Sequence, residues 1–328
     1  MKKLIFIIFS MVCIEVPAQD PKFSQYFASP LTLNPALIGY FDGYYRLALN
    51  TRRQWANVGD PYSTTSISGE YKFNDEYYYD GIFSVGANLL FDESFNKALK
   101  TNVVNIGFSY YRFFDADHKV KFGLAPQISY VAKSLDLNAL TFASQFVDGV
   151  FDPSRPNYLE SDRNGVNYLD VNIGTNLALA FENFNLAVGY SLFHLTSPQE
   201  SFEDHYLSKV PLRQTATLSF QYLSNDLIDV NVSGHYMKQR KNDDTILGTV
   251  FGFKPTYDSK LKLNLGLWHK FNENSFFPYF GFDISNYSFG INHTLSSNKI
   301  NKIQPKTFEL SFIMRDKRYT KFKNTCKF

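Results

Sequence analysis

The side chains best suited to proton transfer or metal ligation near neutral pH are six histidines, at positions 118, 194, 205, 235, 269 and 293. They fall in separate segments, with no His-Glu-x-x-His pair and no short ligand spacing, so the sequence writes no zinc site. There is likewise no Gly-x-Ser-x-Gly elbow, no P-loop and no dinucleotide fingerprint. Asp92-Glu93 with Asn96, and Asp148, Asp152 and Asp162 further on, could offer oxygen ligands to calcium, but neither set has EF-hand spacing and both read as solvated loop acids. His194 stands in His194-Leu195-Thr196-Ser197-Pro198 at a strand end and reads as a structural histidine bonding the loop above it, not as a proton relay. No nucleophile is matched with a base. The expectation is a chain with no catalytic residue, no metal and no cofactor.

Bulk properties narrow the class. Thirty-three basic residues face 31 acidic ones, which argues against nucleic acid as a partner because a concentrated basic surface is missing. The basic run from Arg315 to Lys327 reads as a solvated tail, with contact to a periplasmic partner as the other reading. Residues 1–18 have a basic start (Lys2, Lys3), an apolar centre and a Val16-Pro17-Ala18 end, the pattern of a secretory signal peptide. Cys326 is then the one cysteine left, so neither a disulfide within the chain nor a Cys-based metal site is expected.

The elements that must position these residues are strands. Aromatics make up 17% of the chain, mean hydropathy is only −0.25, and past residue 16 no apolar run approaches the 18 or so residues of a spanning helix. From Tyr45 onward, period-two alternation recurs. Phe83, Val85, Ala87, Leu89 and Phe91 alternate with Ser84, Gly86 and Asn88; Val171, Ile173, Leu177 and Leu179 alternate with Asn172, Gly174 and Asn176. Leu186 falls on the oily face of its segment, and Arg213, Thr215, Thr217, Ser219 and Gln221 form the polar face of theirs. Counting such runs gives about 14 strands, at 45–55, 62–73, 81–93, 100–114, 119–133, 168–181, 184–195, 210–222, 229–239, 244–257, 261–271, 275–285, 287–295 and 307–315. Most are long enough to cross a bilayer when tilted, and every one has an oily face, which a soluble sandwich would not need. The fold class expected is an all-β transmembrane antiparallel barrel. Even-numbered connections are short and 134–167, 196–209 and 296–306 are the longest, the parity of outer-membrane barrels, which places both termini in the periplasm. Tyr110, Tyr111, Phe113, Phe114, Tyr190, Phe193 and Phe220 are expected to form interfacial girdles.

Ahead of the strands, residues 20–44 are punctuated by Asp20-Pro21, Ser29-Pro30 and Asn34-Pro35, each of which disfavours helix at the preceding position. An extended segment results, which reads either as a linker next to the signal peptide or, since Phe23, Tyr26, Phe27, Leu31, Leu33 and Leu37 need a surface to bury against, as a segment packed in or under the barrel. The order of parts is then signal peptide 1–18, pre-barrel segment 19–44, barrel 45–315 and basic periplasmic tail 316–328.

The ordered run Asp20-Pro21, Phe23-Ser24-Gln25-Tyr26, Pro30-Leu31, Asn34-Pro35-Ala36 and Gly39, followed by Arg52, Gln54 and Trp55, resembles the opening of the PorP/SprF family of type IX secretion and gliding proteins. His194-Leu195, Pro198 and Ser201-Phe202 continue the resemblance over nearly the whole chain. It implies a non-enzymatic outer-membrane component that retains secreted cargo or an adhesin at the cell surface, or links the outer membrane to periplasmic secretion subunits. It also implies structural or partner-binding roles for Phe23, Ser24, Gln25, Asn34, Pro35, Gly39, Arg52, Gln54, Trp55, His194, Pro198 and Phe202. Near the last strand the family commonly shows Gly-Ser-His-Glu; here Lys306-Thr307-Phe308 precedes Glu309. The residues themselves leave a second reading open, a passive porin with a wet Gly, Ser and Asn lumen. Against it, Lys121, Arg213, Lys262 and Glu309 are too scattered for a selectivity ring.

Overall fold

A computed structural model describes residues 20–74, 80–147, 150–152, 154–155, 164–202, 208–223, 227–297 and 303–316. The signal peptide, Cys326, His205, Asp148, Asp162 and the basic tail from residue 317 lie outside the described residues.

Fourteen antiparallel strands close into one barrel. They are β1 (Tyr45–Gln54), β2 (Tyr62–Lys72), β3 (Gly81–Ser94), β4 (Leu99–Phe113), β5 (Val120–Leu135), β6 (Gly165–Ala180), β7 (Phe184–Phe193), β8 (Arg213–Leu223), β9 (Ile228–Gln239), β10 (Asn242–Phe253), β11 (Leu261–Lys270), β12 (Ser275–Ile284), β13 (Tyr287–Ser296) and β14 (Thr307–Arg315). Each pairs with its sequence neighbour, and β1 closes the ring on β14 with Arg52 opposite Glu309. The strand count agrees with the alternation. Strand ends shift by a few residues: β8 begins at Arg213, after Pro211, and β10 stops at Phe253, before Pro255.

Closure follows from the outward face. Leu177, Val188 and Leu218 form one cross-strand row and are all exposed, as are Phe83, Ile106, Ile128, Leu265 and Leu310. A continuous exposed apolar belt is stable only in lipid, where an unpaired strand edge would cost several kcal/mol per backbone group. The opposite face is buried and mostly polar: Ser66, Asn88, Ser129, Asn172, Thr217 and Ser233 all turn inward. The three longest connections, at 136–164, 194–212 and 297–306, share one end, the outer end by the loop rule.

The girdle expectation needs correction. Tyr110, Phe114 and Tyr190 are exposed, but Tyr111, Phe113 and Phe193 are buried on the lumen side. Adjacent residues alternate, so of Tyr110-Tyr111 and Phe113-Phe114 one member each must face inward.

Residues 20–44 fill the lumen. The segment is not the extended chain expected but three single turns, two of them begun by a proline: Tyr26–Ala28 is a 3-10 turn, Pro30–Leu33 one turn of α-helix and Pro35–Leu37 a second 3-10 turn. Proline suits the first position of a turn because its missing N–H has no partner there and its φ is already helical. The described segment also begins at the outer end, not at the periplasmic end where the loop parity placed both termini. Asp20 lies beside His194 and Arg213 at the outer end, and the segment descends from there to Tyr44 at the periplasmic end, where β1 begins.

Candidate functional site

The contact between this plug and the wall is rich in buried polar side chains and gathers most of the motif residues. At the outer third, the backbone amides of Ser24 and Gln25 donate to the Glu309 carboxylate at 2.8 and 2.7 Å, and Asn50 Nδ2 donates to the same carboxylate at 2.9 Å. Gln25 Nε2 donates to the Glu309 carbonyl at 3.0 Å and Gln25 Oε1 accepts from Ser311 Oγ at 2.5 Å. A buried carboxylate is tolerable because three donors converge on it. Phe23 is buried beside this cluster in sequence.

Lower down, Tyr26 OH donates to Ser233 Oγ at 2.7 Å while Phe27 stacks on Trp268 at 5.6 Å between ring centroids. Asn34, fully buried, caps the second 3-10 turn by accepting from Ala36 N and reaches the wall by donating from Nδ2 to the Thr175 carbonyl at 3.0 Å. Pro35 begins that turn. Plug carbonyls are met one by one: Gln127 donates to Leu31 O, Ser191 to Leu33 O, Tyr111 to Ala36 O and Ser109 to Ile38 O. Irregular backbone at membrane depth requires this, since water is not there to satisfy it.

At the periplasmic end Gly39 takes φ +73°, donates its N–H to Glu70 Oε2 at 3.1 Å, and has no room for a Cβ against Ser84. Glu70 also holds Arg46 in a two-pronged ion pair, at 2.7 Å from Nε and 3.0 Å from Nη2. Arg46 caps the Leu37 carbonyl at 3.2 Å, and Lys72 binds the Phe41 carbonyl.

At the outer end a clasp forms. His194 Nε2 lies 2.7 Å from Asp20 and its Nδ1 2.6 Å from Asp170 on β6. Arg213 reaches Asp20 at 2.6 Å and the Thr32 carbonyl at 2.9 Å. Burial alone would lower the His194 pKa, but the Asp20 charge and the hydrogen bond to Asp170 outweigh it and push it up to about 9. Burial would raise the Asp20 carboxyl, but His194 and Arg213 hold it far below the usual carboxylate range. The His194 side chain bonds the plug and the wall rather than the loop above, where its partner was expected. Its φ of +63° is a strained setting for a histidine that this network holds in place.

Arg52 binds the Lys22 carbonyl, and Gln54 ends β1 on the rim of a cavity of about 470 Å³ between the plug and the outer wall. Trp55 lies just beyond the strand, at φ +58°, edge-on to Tyr62 at 5.2 Å. Pro198 and Phe202 lie in the connection 194–212, where the Pro198 carbonyl accepts from Val210 N at 2.9 Å. Among the described residues no group of three His, Cys, Asp or Glu is placed to hold a metal; Asp92 accepts from Thr64 Oγ1 at 2.5 Å. The expectations missed Arg46, Asn50, Glu70, Tyr111 and Asp170. The available signal was parity: each occupies an inward position of its strand, where a large or charged group needs a partner in the lumen.

No curated protein matches the sequence. In fold the chain is similar to the Ralstonia pickettii toluene transporter TbuX, at 11% identity over 88% of this chain and 93% of that one with a TM-score of 0.52. It is similar also to the CymD monoaromatic hydrocarbon channel, at 11% identity, 89% and 94% coverage and a TM-score of 0.54. A TodX deltaS2S3 mutant monoaromatic hydrocarbon channel gives 12% identity, 89% and 94% coverage and 0.53. At such identities the likeness is one of fold. Residues 15–314 match the family described as type IX secretion system membrane protein PorP/SprF, and the chain belongs to that family.

Proposed function

We propose that this protein is a plugged, non-enzymatic platform of the type IX secretion machinery in the outer membrane, retaining secreted cargo or an adhesin at the cell surface or linking the outer membrane to periplasmic subunits. The supporting observation is the plug. Residues 20–44 run through the lumen and are bonded to the wall at the outer end, the middle and the periplasmic end, through Glu309, Thr175 and Glu70. A passive porin needs an open aqueous path, whereas a platform needs a rigid body with loops on one side and a rim on the other.

The test is affinity purification of the tagged protein from outer membranes in mild detergent, followed by mass spectrometry. Recovery of secreted proteins or periplasmic secretion subunits is expected, and it should be lost when residues 20–39 or loop 196–209 are deleted while the barrel persists. A solitary barrel that conducts ions in planar bilayers would instead support the porin reading and overturn this one.

A further inference from the structure

The geometry points to a binding site for a short zwitterionic peptide, two or three residues long, in the cavity above the plug. At about 470 Å³ the cavity falls in the size range of small-molecule sites, and Asp20, Pro21 and Thr32 of the plug line it from below.

Nearly every charge lining it is already neutralised. Asp20 takes His194 and Arg213, Asp170 takes His194, Lys133 takes Glu200, Lys22 takes Asp244, and Lys270 takes Asp244 and Glu273. Two lack a partner in contact: among the described residues Arg52 and Asp92 form no ion pair, and the Arg52 charge acts on Glu309 and Asp92 only at longer range. Arg52 bonds the Lys22 carbonyl and its Nε is buried without a partner, while the facing Glu309 turns its carboxylate to the plug amides. Asp92 accepts from the Thr64 hydroxyl.

Arg52 and Asp92 stand on one register row, both paired with Thr64 of β2. Two interstrand steps therefore separate their Cα atoms, about 10 Å. The termini of two or three extended residues span about 7–10 Å. One row further into the lumen, Leu90, Val103 and Val131 are consecutive cross-strand partners, an apolar strip in a wall otherwise polar at that level. A peptide lying along the wall sets its carboxylate on Arg52, its ammonium near Asp92 and an apolar side chain on the strip. An unpaired charge in a partly desolvated site is costly, and a zwitterion relieves both at once; a simple anion relieves one and is repelled by the other.

Titration calorimetry of the full protein in detergent, with Leu-Leu and Leu-Leu-Leu against their N-acetylated and C-amidated forms, tests this. Saturable binding of the free peptides is expected, weakened about tenfold or more by either blocking group, because each removes one charged contact. Asp92→Asn should erase the discrimination against N-acetylation alone, and Val103→Phe, which fills the strip, should abolish binding. Heat-modifiable migration on SDS gels shows that each variant keeps its barrel. No saturable heat up to millimolar free peptide, or equal affinity for blocked and free forms, overturns the proposal.

Discussion

Asn34 of the plug stands against Gly174 of β6 so closely that a methyl group at position 174 would collide with Asn34 Oδ1 and press on Ala36 N at 2.8 Å. A methyl group at Gly189 of β7 would likewise lie 2.6 Å from Asn34 Nδ2, and one at Gly107 2.6 Å from Ile38 Cδ1. The wall is hollowed where the plug touches it. Gly174→Ala should therefore displace the plug and leave the lipid face unchanged. Overpacking of this kind costs about 1–3 kcal/mol. Conductance in planar bilayers should rise and residues 20–44 should become sensitive to protease; a silent variant would mean that the plug is not pressed against this wall.

Glu309 gives a second, chemical handle. Glu309→Ala strands the Ser24 and Gln25 amides and Asn50, and each buried donor left unmade costs about 1–3 kcal/mol. Glu309→Gln keeps one acceptor and should be milder. In a Trp55→Phe background, emission of Trp268 reports plug seating because Phe27 stacks on it. A red shift in urea should come earliest for the Ala variant, next for Gln and last for the parent. Identical curves would remove Glu309 from the plug's support.

The clasp carries a pH signature whose sign is fixed by the two shifts. His194 rises from 6.5 to about 9 on folding, so its contribution is fully present below about pH 6.5 and is lost as pH climbs through about 9. Asp20 is depressed from 3.8, so its contribution is present above that value and lost as pH falls below it. Thermal stability of the parent should decline between pH 6.5 and 9.5, and His194→Gln should flatten that decline. The same slope in both proteins would show that another group titrates.

On the lipid face, Val188 lies between Leu177 and Leu218 in the barrel belt. Val188→Arg should cost roughly 2–4 kcal/mol near the midplane and reduce the folded, heat-modifiable fraction in outer membranes. Normal assembly of that variant would contradict the assignment of inside and outside.

Much of the barrel was legible in the chain. The strand count, the inward row Ser84, Gly86 and Asn88 against the outward row Phe83, Val85 and Ala87, and the need of residues 20–44 for a surface all follow from local spacing. A residue's side of the sheet depends on its neighbours two positions away, and the chain displays those. At Tyr110-Tyr111 two adjacent aromatics look equally suited to lipid, yet only one of them can face it. What local spacing could not supply is who meets whom in the lumen. Ser24 finds Glu309 285 positions away and Asp20 finds His194 174 away, because closing the ring brings β14 beside β1 and β7 to the outer mouth. Composition and period therefore determined that this chain is a barrel with a buried leading segment. Only the tertiary structure decided that the segment enters from the outer end, turns on its prolines, and is held by a histidine, two carboxylates and a row of glycines, since those contacts exist only once the sheet has closed.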